Sequence, residues 1–525
     1  MVAVADVEAW FLTGDERGNP YTGVDRRNPD GLAWTSGNEV RPLIHGRGYF
    51  AELAEQLAAT RAGDLVLFTD WRGDPDERLA GRPDSAVSRE LCTAAERGVI
   101  VKGLIWRSHL DKLLFSEREN RHLGEEIEAA GGECLLDMRV RAGGSHHQKL
   151  VVIRHPGEPE RDVAYVGGID LCHGRRDDAE HTGDPQPVPM SAKYGRYPPW
   201  HDLQLAIRGP AVGDVEATFR ERWCDPSPLS RNPISRLADL VRGDDTRADP
   251  LPPQLPDPPR LGTQGVQLLR TYPYRRHGFP FAPEGERSVA RGYAKALRHA
   301  RRLIYLEDQY LWSEQVATAF GEALRAQPQL RMIAVVPLHP DQPGRLAGAA
   351  HAIGRGRALD VLRQAGGDRV AVYGLENHAG TPVYVHAKAC VIDDTWASVG
   401  SDNFNVRSWT HDSELSCAVM EESTDGTGFP ERLRLALWRE HLDRATGDDA
   451  DLRDLDSAFT IMAKTAQTLD DWYADGRDGF RPPGRLRIYQ LPSVSGPTRI
   501  AAAALYRFFY DPDGRPPALR RQRTF

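Results

Sequence analysis

The sequence predicts an α/β protein made of two halves that repeat one plan. Three observations carry that expectation. Helix-spaced apolar runs alternate with short β-branched runs, the alternation occurs twice, and a proline-rich stretch divides the two occurrences. The chain has 525 residues, more than one hydrophobic core usually serves, so two domains are the natural division.

In the first half, "YFAELAEQLAAT" places Phe50, Leu53, Leu57 and Ala58 at helical spacing, and "LVLFTDW" (65–71) follows as a strand. "VIVKGLIW" from Val99 reads as a further strand, and "SHHQKLVVIR" (145–154) as another. Residues 175 to 199 are polar and punctuated by Pro and Gly, the composition of a long loop. The stretch "PLPPQLPDPP" (250–259) holds six prolines in ten residues; it can neither form a helix nor join the middle of a sheet. The plan then recurs with "SVARGYAKALRHA" as a helix, followed by "LIYLEDQYLW" (303–312), "RMIAVVPL" from Arg331 and a strand carrying "HAKACVID". His147 lies 77 residues after Asp70, and His386 lies 78 after Asp308. The expected boundaries are 1–240 for the first half, 241–264 for the linker, and 265–525 for the second half with a C-terminal extension. A duplicated plan implies a site built from both halves.

A formal charge of −8 and a pI near 6.1 disfavour a protein that lives on non-specific contact with phosphate backbones. Nucleic acid is therefore not an expected partner. The six cysteines (92, 134, 172, 224, 390, 417) are scattered without a CxxC pair, which suits buried free thiols in a reducing compartment. The N-terminus has no basic, apolar leader, and no run approaches the roughly 18 apolar residues of a membrane span. A soluble, cytoplasmic, monomeric protein is the expectation.

The most informative stretch is "HAKACVIDDTWASVGSDN". His386 and Lys388 share one strand face, because side chains i and i+2 point the same way. Asp393 ends the strand, and Gly400, Ser401 and Asn403 follow a turn and a return strand. An imidazole beside an ammonium, with an amide and a hydroxyl nearby, suits the oxygens of a phosphate. A neutral His can attack phosphorus and a protonated one can protonate a leaving alkoxide, but one ring cannot do both at once. The second ring is His147, with Lys149, in the first half; Gly167-Gly168 there corresponds to Gly400-Ser401, and Asp170 to Asn403.

The pattern H-x-K-x(4)-D-x(6)-G-S-x-N resembles the signature of the phospholipase D superfamily. "VGGIDLC-GR", "PWHDLQLAIRGPAV", "FRERW", "IYLEDQYLW" and "LRLALWREHL" resemble pieces of its eukaryotic-type enzymes, from about Val40 to Leu442. The resemblance implies two tandem α-β-α sandwich halves about a pseudo-two-fold axis. It implies a phosphodiesterase that hydrolyses, or transphosphatidylates, the distal phosphodiester bond of a phospholipid through a phosphohistidine. His147 would be the nucleophile and His386 the acid and base, with Lys149, Lys388 and Asn403 on the non-bridging oxygens and Gly168, Asp170 and Ser401 lining the substrate. Asp202 would hold His147 and Glu414 would hold His386, with Asp412 as the fallback for Glu414. Glu307, Asp308 and Gln309 would line the site. Phospholipid, met by transient contact with a membrane surface, would be the partner. A nuclease-type phosphodiesterase and an inactive binding descendant are the alternatives.

Arg154 stands where the motif places an Asp. Residues 147 and 154 are seven apart, so on a regular strand they face opposite sides and lie roughly 20 Å apart. The missing carboxylate therefore bears on a turn, not on the imidazole. His146 reads as a supporting or packing residue. His45, His201, His299, His351 and His411 have no spacing that recommends them and read as exposed or satisfied. No metal-ligand spacing is visible, and no cofactor or metal is expected because the lysines and imidazolium supply the positive charge. After Leu442 the chain offers one amphipathic helix, "FTIMAKTAQTLDDWY", and a basic end, "RPPALRRQRTF", which reads as a solvated tail.

Overall fold

The computed structural model describes residues 6–28, 30–108, 117–342, 344–423, 426–522 and 524–525. The first half contributes strands β1 (Thr35–Ile44), β2 (Leu65–Asp70), β3 (Ile100–Trp106), β4 (Glu133–Asp137), β5 (Leu150–Arg154), β6 (Val163–Gly167), β7 (Trp200–His201) and β8 (Leu203–Arg208). The second contributes β9 (Gln264–Tyr272), β10 (Glu286–Arg287), β11 (Leu303–Asp308), β12 (Arg331–Val335), β13 (Val370–Glu376), β14 (Pro382–Val385), β15 (Lys388–Ile392), β16 (Trp396–Gly400), β17 (Glu414–Glu421) and β18 (Leu486–Ile488).

Pairing runs β4–β3–β2–β5–β6–β8–β1 in the first half and β9–β17–β16–β15–β11–β12–β13 in the second. Read outward from the centre, the two orders are equivalent. Equivalent strands β1 and β9 meet antiparallel, with Thr35 opposite Val266 and Asn38 opposite Gln264, so the halves share one sheet across a pseudo-two-fold.

Alternation along each strand sorts side chains between layers. Leu67 and Tyr305 point into a central core shared by both halves, with Phe219 and Trp438 from the helices Ala211–Trp223 and Phe429–His441. Val66 and Phe68 point instead to the outer core of the first half, and Ile304 and Leu306 to that of the second. Strands covered on both faces are buried throughout, which explains why "LVLFTD" and "LIYLED" carry almost continuous apolar runs.

The position of the motif Asp has a structural task in both halves. Asp393 turns the β15–β16 hairpin with φ 53°. Its carboxylate accepts from the backbone N–H groups of Arg301, Arg302 and Leu303 at 2.6, 2.8 and 2.7 Å. In the first half Arg154, at the far end of β5 from the site, forms a buried ion pair with Asp162 (2.7 Å) and another with Glu216. Asp162 also accepts from His155 N at 2.6 Å, closing the longer turn.

The C-terminal segment is more than a solvated tail. The helix Leu455–Ala474 buries Leu455, Ala458, Met462 and Ala466 in the central core. Beyond it, Arg515 is buried and the Phe525 ring packs 5.3 Å from Trp409. No helix is long and apolar enough to cross a membrane among the described residues.

Candidate active site

The first ring, His147, enters the site just before β5. Its backbone N–H donates to Ser413 O at 2.9 Å, and Ser413 N donates back to Ser145 O at 3.0 Å. That short ladder between the halves sets Glu414 beside His147, with Nδ1 to Oε2 at 2.8 Å. The second ring is placed by the reciprocal device. β7 pairs parallel with β14, Val385 opposite His201, and His386 N donates to His201 O at 2.7 Å. Asp202 therefore lies against His386, with Nδ1 to Oδ2 at 2.6 Å.

The expected pairing is thus reversed: Asp202 holds His386 and Glu414 holds His147. The resemblance was read as giving each half its own carboxylate. The inter-half strand pairs instead carry each carboxylate across. Asp412, the fallback, accepts from Ser145 N at 2.9 Å and pairs with Arg407 at 2.7 Å.

The two carboxylates are wholly buried, whereas the His147 and His386 side chains keep 15% and 7% exposure, so the rings are what solvent reaches. With Nδ1 held, Nε2 is the nitrogen left for chemistry. Burial, reinforced by the charges of Lys149 and Lys388, holds the His147 imidazolium well below its usual range. Burial, Lys388 and Arg175 do the same to His386. Burial also raises the Glu414 carboxyl to about 8, with Asp412 adding repulsion.

The doublet preceding each loop differs for a steric reason. Ser401 Oγ donates to Glu414 Oε2 at 2.6 Å. At Gly168 a Cβ would stand 2.2 Å from Asp202 Oδ1, so glycine is needed there.

The lysines differ as well. Lys149 Nζ lies 3.1 Å from Asp170 Oδ1, while Lys388 Nζ donates to His386 O and lies 3.4 Å from Gln309 Oε1. Burial raises Asp170, but Lys149 and Arg175 outweigh it and keep the carboxylate ionised; its neighbour Asp70 is driven well up by burial and then by Asp170. Asp170, expected to line the substrate, is here an anion paired with Lys149 and as such no donor to a phosphate oxygen. Asn403, its neutral counterpart, is buried in the second half.

Sequence reasoning gave no role to three neighbours, Arg175, Trp200 and Asp70, and read a fourth, Trp71, as lining the entrance or part of the core. Arg175 lies over the Trp200 ring at 3.9 Å and 3.8 Å from Asp170 Oδ2. Trp200 packs 4.8 Å from His386, and Trp71 6.3 Å from His147. Asp70 ends β2 and accepts from Leu171 N at 2.8 Å. The fixed offset of Arg175 from "GGID" was the available signal. Of the "EDQ" triplet, Gln309 touches Lys388, Asp308 accepts from the N–H groups of Tyr310, Leu311 and Phe404, and Glu307 turns away to His201 and His441, at 2.7 Å from each. His146 is buried and bridges to Ser413, as a packing residue would.

His45 and His201, read as exposed or satisfied, are buried and bonded to Glu440 and Glu307. Together with His181, Glu440, Glu307 and His441 they form a buried cluster behind Asp202. Its members come from distant parts of the chain, so no spacing reveals it.

Two family models match the chain: "Phospholipase D" over residues 131–242, and "Cardiolipin synthase, PLD-like domain" over 293–425. Phospholipase D alpha 1 of Cynara cardunculus is 26% identical, covering 73% of this chain and 63% of that protein. Phospholipase D alpha 1 of Oryza sativa subsp. japonica is 26% identical, covering 76% and 65%. The chain spans a little under two thirds of the length of these two relatives. The crystal structure of phosphatidylserine synthase from Haemophilus influenzae superposes with a TM-score of 0.51 at 12% identity, covering 74% of this chain and 83% of that one, a likeness of fold.

Proposed function

The chain belongs to the phospholipase D superfamily, and from that premise we propose that it is a phosphodiesterase cleaving the distal phosphodiester bond of a phospholipid. One observation carries the reading: two imidazoles, each tethered at Nδ1 by a buried carboxylate from the other half, beside two lysines. In this mechanism Nε2 of His147, neutral at rest, attacks phosphorus in line. The P–O bond to the head-group alcohol breaks as His386 Nε2–H delivers its proton to that oxygen. His386 then takes a proton from water or an acceptor alcohol, whose oxygen displaces His147 from phosphorus. Lys388, Asn403 and Arg175 face the developing charge, and Lys149 does so with part of its charge offset by Asp170. Burial that disfavours imidazolium is relieved when the anionic diester arrives, so substrate binding itself loads the proton on His386.

The substrate class, membrane contact and monomeric state belong to the same proposal. The helix Pro233–Arg242 exposes Ile234, Leu237, Leu240 and Val241 and is flanked by Arg231, Arg236 and Arg242, which supports transient lodging at a lipid surface. Leu237→Asp with Leu240→Asp is expected to reduce co-sedimentation with anionic vesicles while leaving turnover of a monomeric short-chain lipid intact.

The function is tested with phosphatidylcholine vesicles and, in parallel, a DNA duplex. Choline release by the wild type is the expected result, and with a p-nitrophenyl phosphodiester, whose leaving group needs no proton, an acid-labile phosphoenzyme is expected to accumulate in His386→Ala and not in His147→Ala. Turnover of DNA alone, or no phosphoenzyme with any diester, defeats the reading.

A further inference from the structure

The buried cluster behind Asp202 has the composition and spacing of a metal centre. We infer that His45, His181, His201 and Glu440 bind one divalent transition-metal ion of the zinc class. Each offers one ligand atom, and these atoms lie within 4.8 Å of one another. Glu440 Oε2 is 2.7 Å from His45 Nε2, and Oε1 is 3.0 Å from His181 Nε2 and 3.4 Å from His201 Nδ1. Tetrahedral zinc with bonds of about 2.0–2.1 Å sets its ligand atoms roughly 3.3 Å apart, so these contacts are already near the edges of such a polyhedron.

Hydrogen bonding within the cluster leaves a deficit that a cation would fill. His45, His181 and His201 are almost wholly buried. The Nδ1 of His201 has no hydrogen bond, although it faces Glu440 Oε1. A metal at the centre would satisfy that buried nitrogen.

The other nitrogen of His201 carries a second, independent indication. Nε2 lies 2.7 Å from Glu307 Oε2, and the opposite oxygen of Glu307 lies 2.7 Å from His441 Nε2. That carboxylate takes Nε2 and leaves Nδ1 turned toward Glu440 and the centre of the cluster, the arrangement in which metal-bound imidazoles are oriented by a carboxylate on their other nitrogen. Two of the four ligands also hold left-handed backbone, His45 at φ 71° and His181 at φ 52°, a strain that gathers at ligand clamps. Three imidazoles and one carboxylate suit a borderline-soft cation in four-coordination and not calcium or magnesium, which take oxygen.

The ion goes beyond the phosphodiester chemistry, since it stands outside the cleft and is a positioning element. It would tie together the start of the helix Gly46–Ala58, the loop 175–199, β7 and the end of the helix Phe429–His441. His201 immediately precedes Asp202, and His45 N donates to Asp202 O at 2.9 Å, so the ion braces the carboxylate that aims His386.

The experiment uses the full chain carrying no polyhistidine tag, grown with zinc and dialysed against metal-free buffer. Elemental analysis is expected to give one zinc per chain. Exchange for Co2+ is expected to give the intense visible d–d bands of four-coordinate cobalt. His181→Ala is expected to abolish the bands, and Glu307→Gln to weaken zinc binding about 10–100-fold while keeping them. Folded wild-type protein that retains no metal, a weak six-coordinate cobalt spectrum, or stoichiometric binding that survives His181→Ala with Glu440→Gln would overturn the inference. These readouts need no substrate, so they stand or fall apart from the proposed activity.

Discussion

Glu414 and Asp202 each serve an imidazole from the other half, and this exchange assigns them different kinetic signatures. Asp202→Asn disturbs His386, the proposed acid and base, whereas Glu414→Gln disturbs His147, the proposed nucleophile. Both are expected to lower kcat on a phospholipid by about 10³–10⁴-fold, the scale of losing the carboxylate of a catalytic triad. A diester with a p-nitrophenol leaving group separates them, because that group departs without a proton. Stopped-flow is expected to show a burst of nitrophenolate in Asp202→Asn and none in Glu414→Gln; the pairing first expected, Asp202 with His147 and Glu414 with His386, requires the opposite.

Lys388 supplies a pH signature. Burial lowers its ammonium to about 8, even with Asp202 favouring the charge. Raising the pH through about 8 removes a positive charge from the site, so kcat/KM is expected to fall there, well before a free lysine would titrate. In Lys388→Arg the guanidinium stays charged, so the fall due to Lys388 is expected to be lost, and what change remains near pH 8 belongs to Glu414, whose carboxyl also lies at about 8.

At the scale of elements, β5 shows why a motif is not a list of letters. Its Arg154 faces Asp162 and Glu216 in a buried network, on a strand whose other end leads into Lys149 and His147. Restoring the family's letter with Arg154→Asp would place three carboxylates together without their cation. It is expected to destabilise the protein by about 3–5 kcal/mol in denaturant titration, and to restore no activity. The His-x-Lys pairs, the G-S-x-N loop and the helical runs were legible because each is a local pattern of period 2 or 3.6. The loop 175–199 was legible only as a loop. That it delivers Arg175 and His181 to two different clusters depends on contacts that composition does not encode.

At the scale of the whole molecule, the halves are one folding unit. β1 pairs with β9, one central core takes residues from both, and β7 pairs with β14. The proline-rich segment is docked, since Pro252 and Pro256 carbonyls accept from Arg220 and Arg154. An engineered protease site within 243–248, once cleaved, is therefore expected to leave two fragments that co-elute in native gel filtration and retain activity. Fragments that separate would show the linker to be needed.

By itself the sequence determined the duplicated α/β plan, the two His-x-Lys pairs and the membership they signal, because strand alternation and motif spacing are properties of neighbouring residues. Tertiary structure alone decided which carboxylate holds which imidazole, which carboxylates Arg154 pairs with, and that four residues between 45 and 440 meet around one point. Those outcomes come from strand pairing across a pseudo-two-fold, where residues meet by register between distant segments and not by their distance along the chain.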